Sequence, residues 1–255
     1  LYVVSKFRPN RKIMTSEAAK KDLITSSLRI LAIETSAEIC SIGLSLFGEV
    51  TIAENKANQN HSEHVLPMID NLLEINDLSL GDIDVIGFGA GPGSFTGVRL
   101  ACSVAQGLAF GVNIPVVPVP SLEALAQKTN RDKVLVCQDA RMSQVYAAAF
   151  ERIGDIWVPM VDPYVCDPQD VTIPAGEGWV ACGSGFVSYK EVFETSKKFS
   201  IPILNGEYIR STAREVLKIT CRDFLAGKAV SAEDAIPTYV RNKVALTLDE
   251  QVSRR

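Results

Sequence analysis

The residues best suited to do chemistry in this 255-residue chain lie in the run from Gly89 to Arg99, which reads GAGPGSFTGVR. It follows the hydrophobic segment Ile83 to Phe88 and precedes a helical pattern that reaches about Phe110. Strand, glycine-rich turn and helix therefore occur in the order that can hold an anion at a helix N-terminus. Gly89, Gly91, Gly93 and Gly97 allow close backbone approach, Pro92 stiffens the turn, and Ser94 is placed to cap the helix amides. The same residues serve equally to bring a helix tightly against its own sheet or against another subunit. No complete dinucleotide or P-loop signature is present, so packing or assembly is the favoured role and an anion cradle the alternative.

His61 and His64 are the chain's two histidines, three positions apart and able to share one side of a helix. Glu63 or Asp70 lies near enough in sequence to add a ligand, but the spacing is not that of a zinc protease helix and no third imidazole follows. Helix-start hydrogen bonding or an interface suits the pair better than a metal. Ser36, Ser94 and Ser184 sit near turns, none inside Gly-x-Ser-x-Gly, so a Ser-His-Asp catalyst has no support. Glu34-Thr35-Ser36 ends the first strand, where it can approach phosphate or metal, or simply satisfy turn amides. Asp139-Ala140-Arg141 can form a cross-cleft acid-base pair or stabilise a turn at a domain junction. In Pro237-Thr238-Tyr239-Val240-Arg241 a restricted backbone, an aromatic anchor and a positive charge suggest a clasp more than a substrate site. Glu34, Asp139, Arg141, Tyr239 and Arg241 are thus candidate inter-lobe contacts.

The elements that must position these groups follow from periodicity. Ile30 to Ile33 predicts a strand, and Cys40 to Phe47 and Glu49 to Ala53 a hairpin turning at Gly48. Val65, Met68, Ile69, Leu72 and Leu73 mark a helix within His61 to Ile75, with Pro67 predicting a regular start nearer His64. Strands at Val85 to Phe88 and Val116 to Val119 bracket the helix from Ser94, and Ser121 to Gln127 adds a further helical turn or two. The initial hairpins exclude the strict alternation of a Rossmann domain. Beyond the polar stretch Lys128 to Lys133, strands at Val134 to Gln138 and Val145 to Phe150 open a second set. Pro159 to Gly178 reads as largely irregular, and Trp179 to Cys182 and a helix from Thr212 to Leu225 follow. The reading is a two-lobed α/β fold with mixed sheets flanked by helices. Residues 1–29 are a basic N-terminal extension, 30–130 the first lobe and partner-binding region, and 131–255 the second lobe and a return tail.

With 47% apolar residues the chain can bury a substantial core. Its formal charge of −4 is uneven: residues 1–29 carry +5, leaving −9 on the rest. A mostly acidic body argues against a broad nucleic-acid platform while leaving room for a local RNA contact. Six scattered cysteines without a C-x-x-C pair suit reduced thiols in a cytosolic protein. No run of the sequence is apolar enough to predict a membrane span, and the basic start lacks the apolar centre of a secretory signal. Met14 is a candidate alternative start.

Taken together, these motifs closely resemble the TsaB (YeaZ) family of bacterial tRNA threonylcarbamoyladenosine biosynthesis. The likeness rests on ILAIETS at 30–36, HSEHVLPMI at 61–69 and GPGSFTGVR at 91–99, extended by Asp139-Ala140-Arg141 and the 237–241 tail, and spans about residues 29–245. It implies the actin-like ATPase (ASKHA) architecture and an accessory subunit without a transferase centre of its own. That subunit supports TsaD, together with the ATPase TsaE, in N6-threonylcarbamoylation of adenosine 37 in tRNAs reading codons that begin with adenine. It further implies that isolated chains pair as homodimers, that ATP or ADP binds the assembled complex mainly through partners, and that tRNA is met mainly through the complex, in the cytoplasm and away from membranes. The helices beginning near His61 and Ser94 become the partner-binding candidates, with His61, His64, Val65, Met68, Leu72, Ser94 and Val98 as contributors. The paired metal histidines of TsaD have no counterpart here, so no metal is expected. An M22-like metallopeptidase and a stand-alone nucleotide-binding ATPase are the alternatives.

Overall fold

The computed structural model describes residues 3–7, 27–55, 60–196, 199–204 and 210–241. Met14 and most of the basic extension lie outside the described residues. Val3–Phe7 (β1) nevertheless adds an edge strand antiparallel to Glu49–Asn55 (β4), so part of the extension belongs to the first sheet. That sheet continues through Cys40–Leu46 (β3) and Arg29–Glu34 (β2), both antiparallel. Val85–Gly91 (β5) and Val116–Pro120 (β6) then join in parallel, giving the order β1-β4-β3-β2-β5-β6.

Helices close both faces of this sheet. His61–Glu74 (α1) and Phe95–Val112 (α2) bury Met68, Leu72, Ala101 and Ala105 against Leu31, Ile33, Ile42 and Phe88. On the opposite face lies Ala213–Leu225 (α6), which packs Ala213, Val216 and Leu217 on Ile30, Ala32 and Ile52. Its approach is close because the sheet offers glycines beneath it: a Cβ at Gly87 would lie 1.8 Å from Thr220 Oγ1, and one at Gly43 2.8 Å from Leu217 Cδ1. A capping box starts α6, with Thr212 Oγ1 donating to Glu215 Oε2 at 2.7 Å. The chain therefore returns to the first sheet for a whole helix before its tail begins.

The second sheet has the order β10-β7-β8-β9, built from Lys133–Asp139 (β7), Val145–Ile153 (β8), Ile156–Cys166 (β9) and Val180–Cys182 (β10). Ser121–Thr129 (α3) covers one of its faces through Leu122 and Leu125, while Gly185–Ser188 (α4) and Lys190–Thr195 (α5) cover the other through Phe186 and Phe193. Six consecutive residues of α3, Ser121 to Ala126, are buried because Ala124 packs on the first lobe while its neighbours pack on the second. A helix buried all round is a strut between layers.

Two expectations change. The region from Pro159 is not irregular as far as Cys166: it forms most of β9, in a hairpin turning at Gly154 and Asp155. Pro159 and Pro163 are tolerated because β9 is the sheet edge, where a missing amide leaves no ladder partner unsatisfied. Helix α1 starts at His61 and not near His64. Pro67 lies on its exposed face, so the carbonyl it leaves unpaired turns to water and the helix runs through.

Candidate functional site

The turn after β2 and the first turn of α2 are in backbone contact. Thr35 Oγ1 donates to Gly97 O at 2.6 Å, and the Ser94 amide donates to Ser36 O at 2.8 Å. A Cβ on Gly97 would sit 1.9 Å from Thr35 O, and one on Gly93 2.7 Å from Ser36 O. Ser94 Oγ accepts from the Gly97 amide at 3.4 Å, a long cap. Gly91 has φ +100°, a conformation that favours glycine, and its amide donates to Ser121 Oγ at 3.0 Å. The space a side chain on Gly89 would need is filled by the Glu34 carboxylate, 2.5 Å from the built Cβ. Close packing is thus the visible work of this glycine run.

Glu34 is 0% exposed and lies beneath the surface instead of between the lobes, which corrects its assignment as an inter-lobe contact. A strand end whose two preceding side chains are core residues carries its own side chain inward with the sheet. Oε1 accepts from the Ser36 amide at 2.7 Å, while Oε2 has no partner at hydrogen-bond geometry among the described residues. Burial pushes this carboxyl above the ordinary value of 4.5, and the Ser36 and Ser211 groups beside it pull the other way. The folded state therefore binds this proton more readily than the unfolded chain. Its stabilising contribution is fully present below about 4.5 and is lost as pH rises through the raised value. Glu34→Gln keeps the shape and removes the charge, so at neutral pH it is expected to leave stability equal or higher. Urea melts from pH 4 to 8 should show a stability change across the acid range that the parent has and the variant lacks; identical profiles would refute the assignment.

Between the two sheets opens a cleft of about 750 Å³, lined by Ser36, His61, Ser94, Asp139, Arg141 and Tyr239 among others. Its second-lobe wall is the β7–β8 turn, where Arg141, Met142 and Ser143 all adopt left-handed φ of 60°, 55° and 59°. Three such residues in sequence cost about 1 kcal/mol each. Ala140 N to Gln144 O at 2.9 Å and Gln144 N to Arg141 O at 3.0 Å close the turn. Asp139 anchors it, accepting from the Arg141 amide at 2.8 Å and from Tyr189 at 3.2 Å.

A strap from Ile236 to Arg241 crosses the cleft mouth. The Thr238 amide donates to Ala90 O of β5 at 2.7 Å, on the first lobe. Tyr239 OH accepts from Arg99 Nε at 2.8 Å. Arg241 then reaches the second lobe, donating to Gln144 Oε1 at 2.9 Å and to the Met142 thioether Sδ at 3.3 Å. Asp139, Arg141, Tyr239 and Arg241 are thereby brought together at one cleft, as neighbours of the α2 N-terminus.

The expected partner-binding residues divide. His61, His64 and Ser94 reach the surface, and His61 Nε2 lies 3.2 Å from Ala37 O. Val65, Met68, Leu72 and Val98 are core residues and present no surface to a partner. Their helical spacing marks a buried stripe, and the sheet, not another chain, is what they bury against. Among the described residues the thiols are held protonated by their surroundings: burial pushes Cys40 up to about 12 and Cys166 to about 11. Among the described residues no group of three or more His, Cys, Asp or Glu is arranged to hold a metal ion.

The model of the TsaD family, tRNA N6-adenosine threonylcarbamoyltransferase, matches residues 46–238. The tRNA threonylcarbamoyladenosine biosynthesis protein TsaB of Escherichia coli is 37% identical over 227 residues, 86% of this chain and 96% of that protein. The chain belongs to the TsaB (YeaZ) family. Its TsaB relative in Haemophilus influenzae is 33% identical over 86% of this chain and 95% of its own. A solved YeaZ structure from Pseudomonas aeruginosa superposes with a TM-score of 0.77 at 31% identity, covering 83% of this chain and 99% of that one. The two sheets with their helices are the actin-like ASKHA fold, and the TsaB family places this chain in tRNA threonylcarbamoyladenosine biosynthesis.

Several residues of the site carry no signal in the sequence. Arg99 meets Tyr239 across 140 positions, with Phe95 beside the same ring, and Arg241 meets Gln144 across 97. The left-handed turn uses Arg, Met and Ser where Gly or Asn would have announced it.

Proposed function

We propose that this chain is the non-catalytic partner of a TsaD-type transferase, acting with a TsaE-type ATPase in N6-threonylcarbamoylation of adenosine 37 in cytoplasmic tRNAs that read codons beginning with adenine. The observation that carries the reading is the outer face of α2. Ser103, Gly107 and Gly111 recur there every fourth residue, a Cβ at either glycine would meet nothing within 4 Å, and Phe110 beside them is 67% exposed. Small residues on an uncovered helix let a second helix approach closely, and an exposed ring supplies apolar area for it. The buried stripes of α1 and α2 fix the pose of that face on the sheet. In isolated protein the same face pairs two copies of the chain, and TsaD displaces the second copy, since two surfaces cannot occupy one patch.

The cleft supports the non-catalytic part of the reading: its histidine is engaged with a backbone carbonyl, and the buried thiols stay protonated. ATP or ADP then belongs to the assembled complex and is held mainly through partners. The test is reconstitution from purified TsaD, TsaE, donor-synthesis enzymes and substrate tRNA, with and without this chain. Modified nucleoside is expected to form only when the chain is present. Equal product without it, metal-dependent peptide cleavage by the chain alone, or ATP turnover by the chain alone would each overturn the proposal.

A further inference from the structure

At the rim of the cleft, Arg99 is held in a way its neighbours are not. Its guanidinium carbon lies 3.4 Å from the Phe95 ring centroid and 5.3 Å from that of Tyr239, and Nε donates to Tyr239 OH at 2.8 Å. An arginine on a surface helix ordinarily samples many rotamers; this one has its side-chain ordering met in advance by two rings. Nearby arginines are already engaged. Arg141 pairs with Asp139 at 3.6 Å, Arg210 with Glu38 at 3.4 Å, and Arg241 is committed to Gln144. Among the described residues no carboxylate pairs with Arg99. Phe95 and Tyr239, 44% and 53% exposed, flank it with ring surface open to solvent.

We propose that this rim binds single-stranded RNA, Arg99 taking a backbone phosphate and the Phe95 and Tyr239 rings taking an adjoining base. The terminal fork of a guanidinium matches a phosphate oxygen pair, and every base has a π-face that stacks on an exposed ring. A carboxylate peptide would satisfy the fork but leave the rings unused, so the combination favours RNA. The charge of −9 on residues beyond the extension excludes a long backbone track, which confines the contact to one or two phosphates. The strap makes the contact conditional on its own seating on the first lobe, because Tyr239 is delivered to Arg99 by the segment whose Thr238 amide is pinned to Ala90. The inference rests on the reading that this chain works on tRNA.

The test uses the full chain in complex with TsaD and a fluorescently labelled tRNA, with binding followed by anisotropy over a salt series. Arg99→Ala is expected to weaken binding about tenfold at low salt and to reduce the slope of log affinity against log salt by about one. Arg99→Lys should restore most of the slope but less of the affinity, since it keeps the charge without the stacked plane. Tyr239→Phe, which keeps the ring and loses the brace, should fall between. Melting temperature should remain at the parental value in all three, and affinity for TsaD should fall by less than affinity for tRNA. Unchanged tRNA affinity and slope in Arg99→Ala would overturn the proposal, as would a loss matched by lost TsaD affinity. Weakened binding of AMP with tRNA binding intact would also overturn it, assigning the rim to a free nucleotide. If modified tRNA forms without this chain yet Arg99→Ala still lowers the slope, the accessory role fails and the RNA contact stands.

Discussion

A Gly97→Ala chain is expected to melt roughly 5 to 10 °C below the parent, and Gly97→Leu to fail to reach the native state. The magnitude follows from what the new atom meets. A Cβ there would lie 1.9 Å from Thr35 O and 2.9 Å from the Thr35 carbonyl carbon, backbone atoms at the end of a central strand with no rotamer to change. Relief requires lifting the first turn of α2. That movement breaks the Ser94-to-Ser36 backbone bond at 2.8 Å and the Thr35 hydroxyl bond to Gly97 O at 2.6 Å, and it pulls Val98 and Ala101 out of the core. Overpacking typically costs about 1 to 3 kcal/mol, and rigid backbone neighbours place this position at the upper end. Ser94→Ala is the matched control. Its cap bond is long at 3.4 Å, so its loss should cost no more than about 1 kcal/mol. Calorimetry of both variants, with TsaD affinity measured separately, separates packing from ligand binding. A Gly97→Leu chain with parental melting and parental TsaD affinity, but without nucleotide binding, would show that the glycine run is a ligand cradle instead.

The same residue illustrates what the sequence discloses and what it withholds. Glycines after a strand and before a helix announce a close approach, and the meander around Gly48 is legible from alternation and a turn residue alone. The object approached is not legible. Gly97 meets Thr35, 62 positions away, and nothing local specifies that partner. The α1 stripe poses the related difficulty that an apolar face fits a sheet as well as a second chain. Val65, Met68 and Leu72 proved to be core because the first sheet offers Leu31, Ile42 and Leu44 to cover them. In β9 the prolines spoke for irregular chain, and only the strand order, which puts β9 at an edge, makes them harmless. Glu34 misled by type, since a glutamate at a strand end near a cleft is ordinarily wet. Here the glycine at position 89 leaves the hollow its carboxylate fills. Local propensity fixes elements well; which face each element turns to which neighbour is decided by contacts made over tens of residues.

Gly107→Leu should do the opposite of Gly97→Leu on both axes. The built Cβ at Gly107 has nothing within 4 Å, and the position lies on the exposed face in the interior of an 18-residue helix. Replacing glycine by a good helix former there removes a propensity penalty of about 0.8 to 1 kcal/mol, so the variant should melt slightly above the parent. If α2 is the docking helix, the same leucine stands where a partner helix must come close, and no relaxation of this chain makes room for it. TsaD affinity should then fall at least a hundredfold, together with modified-tRNA formation in the reconstituted system, and homodimerisation of the isolated chain should fall with it. Sedimentation and titration calorimetry read the two associations, and a thermal melt reads the fold. Loss of association alongside a gain in stability has no explanation in misfolding. Retention of parental TsaD affinity by a stable Gly107→Leu chain would move the partner site off the α2 face, whatever the chain's role in tRNA modification.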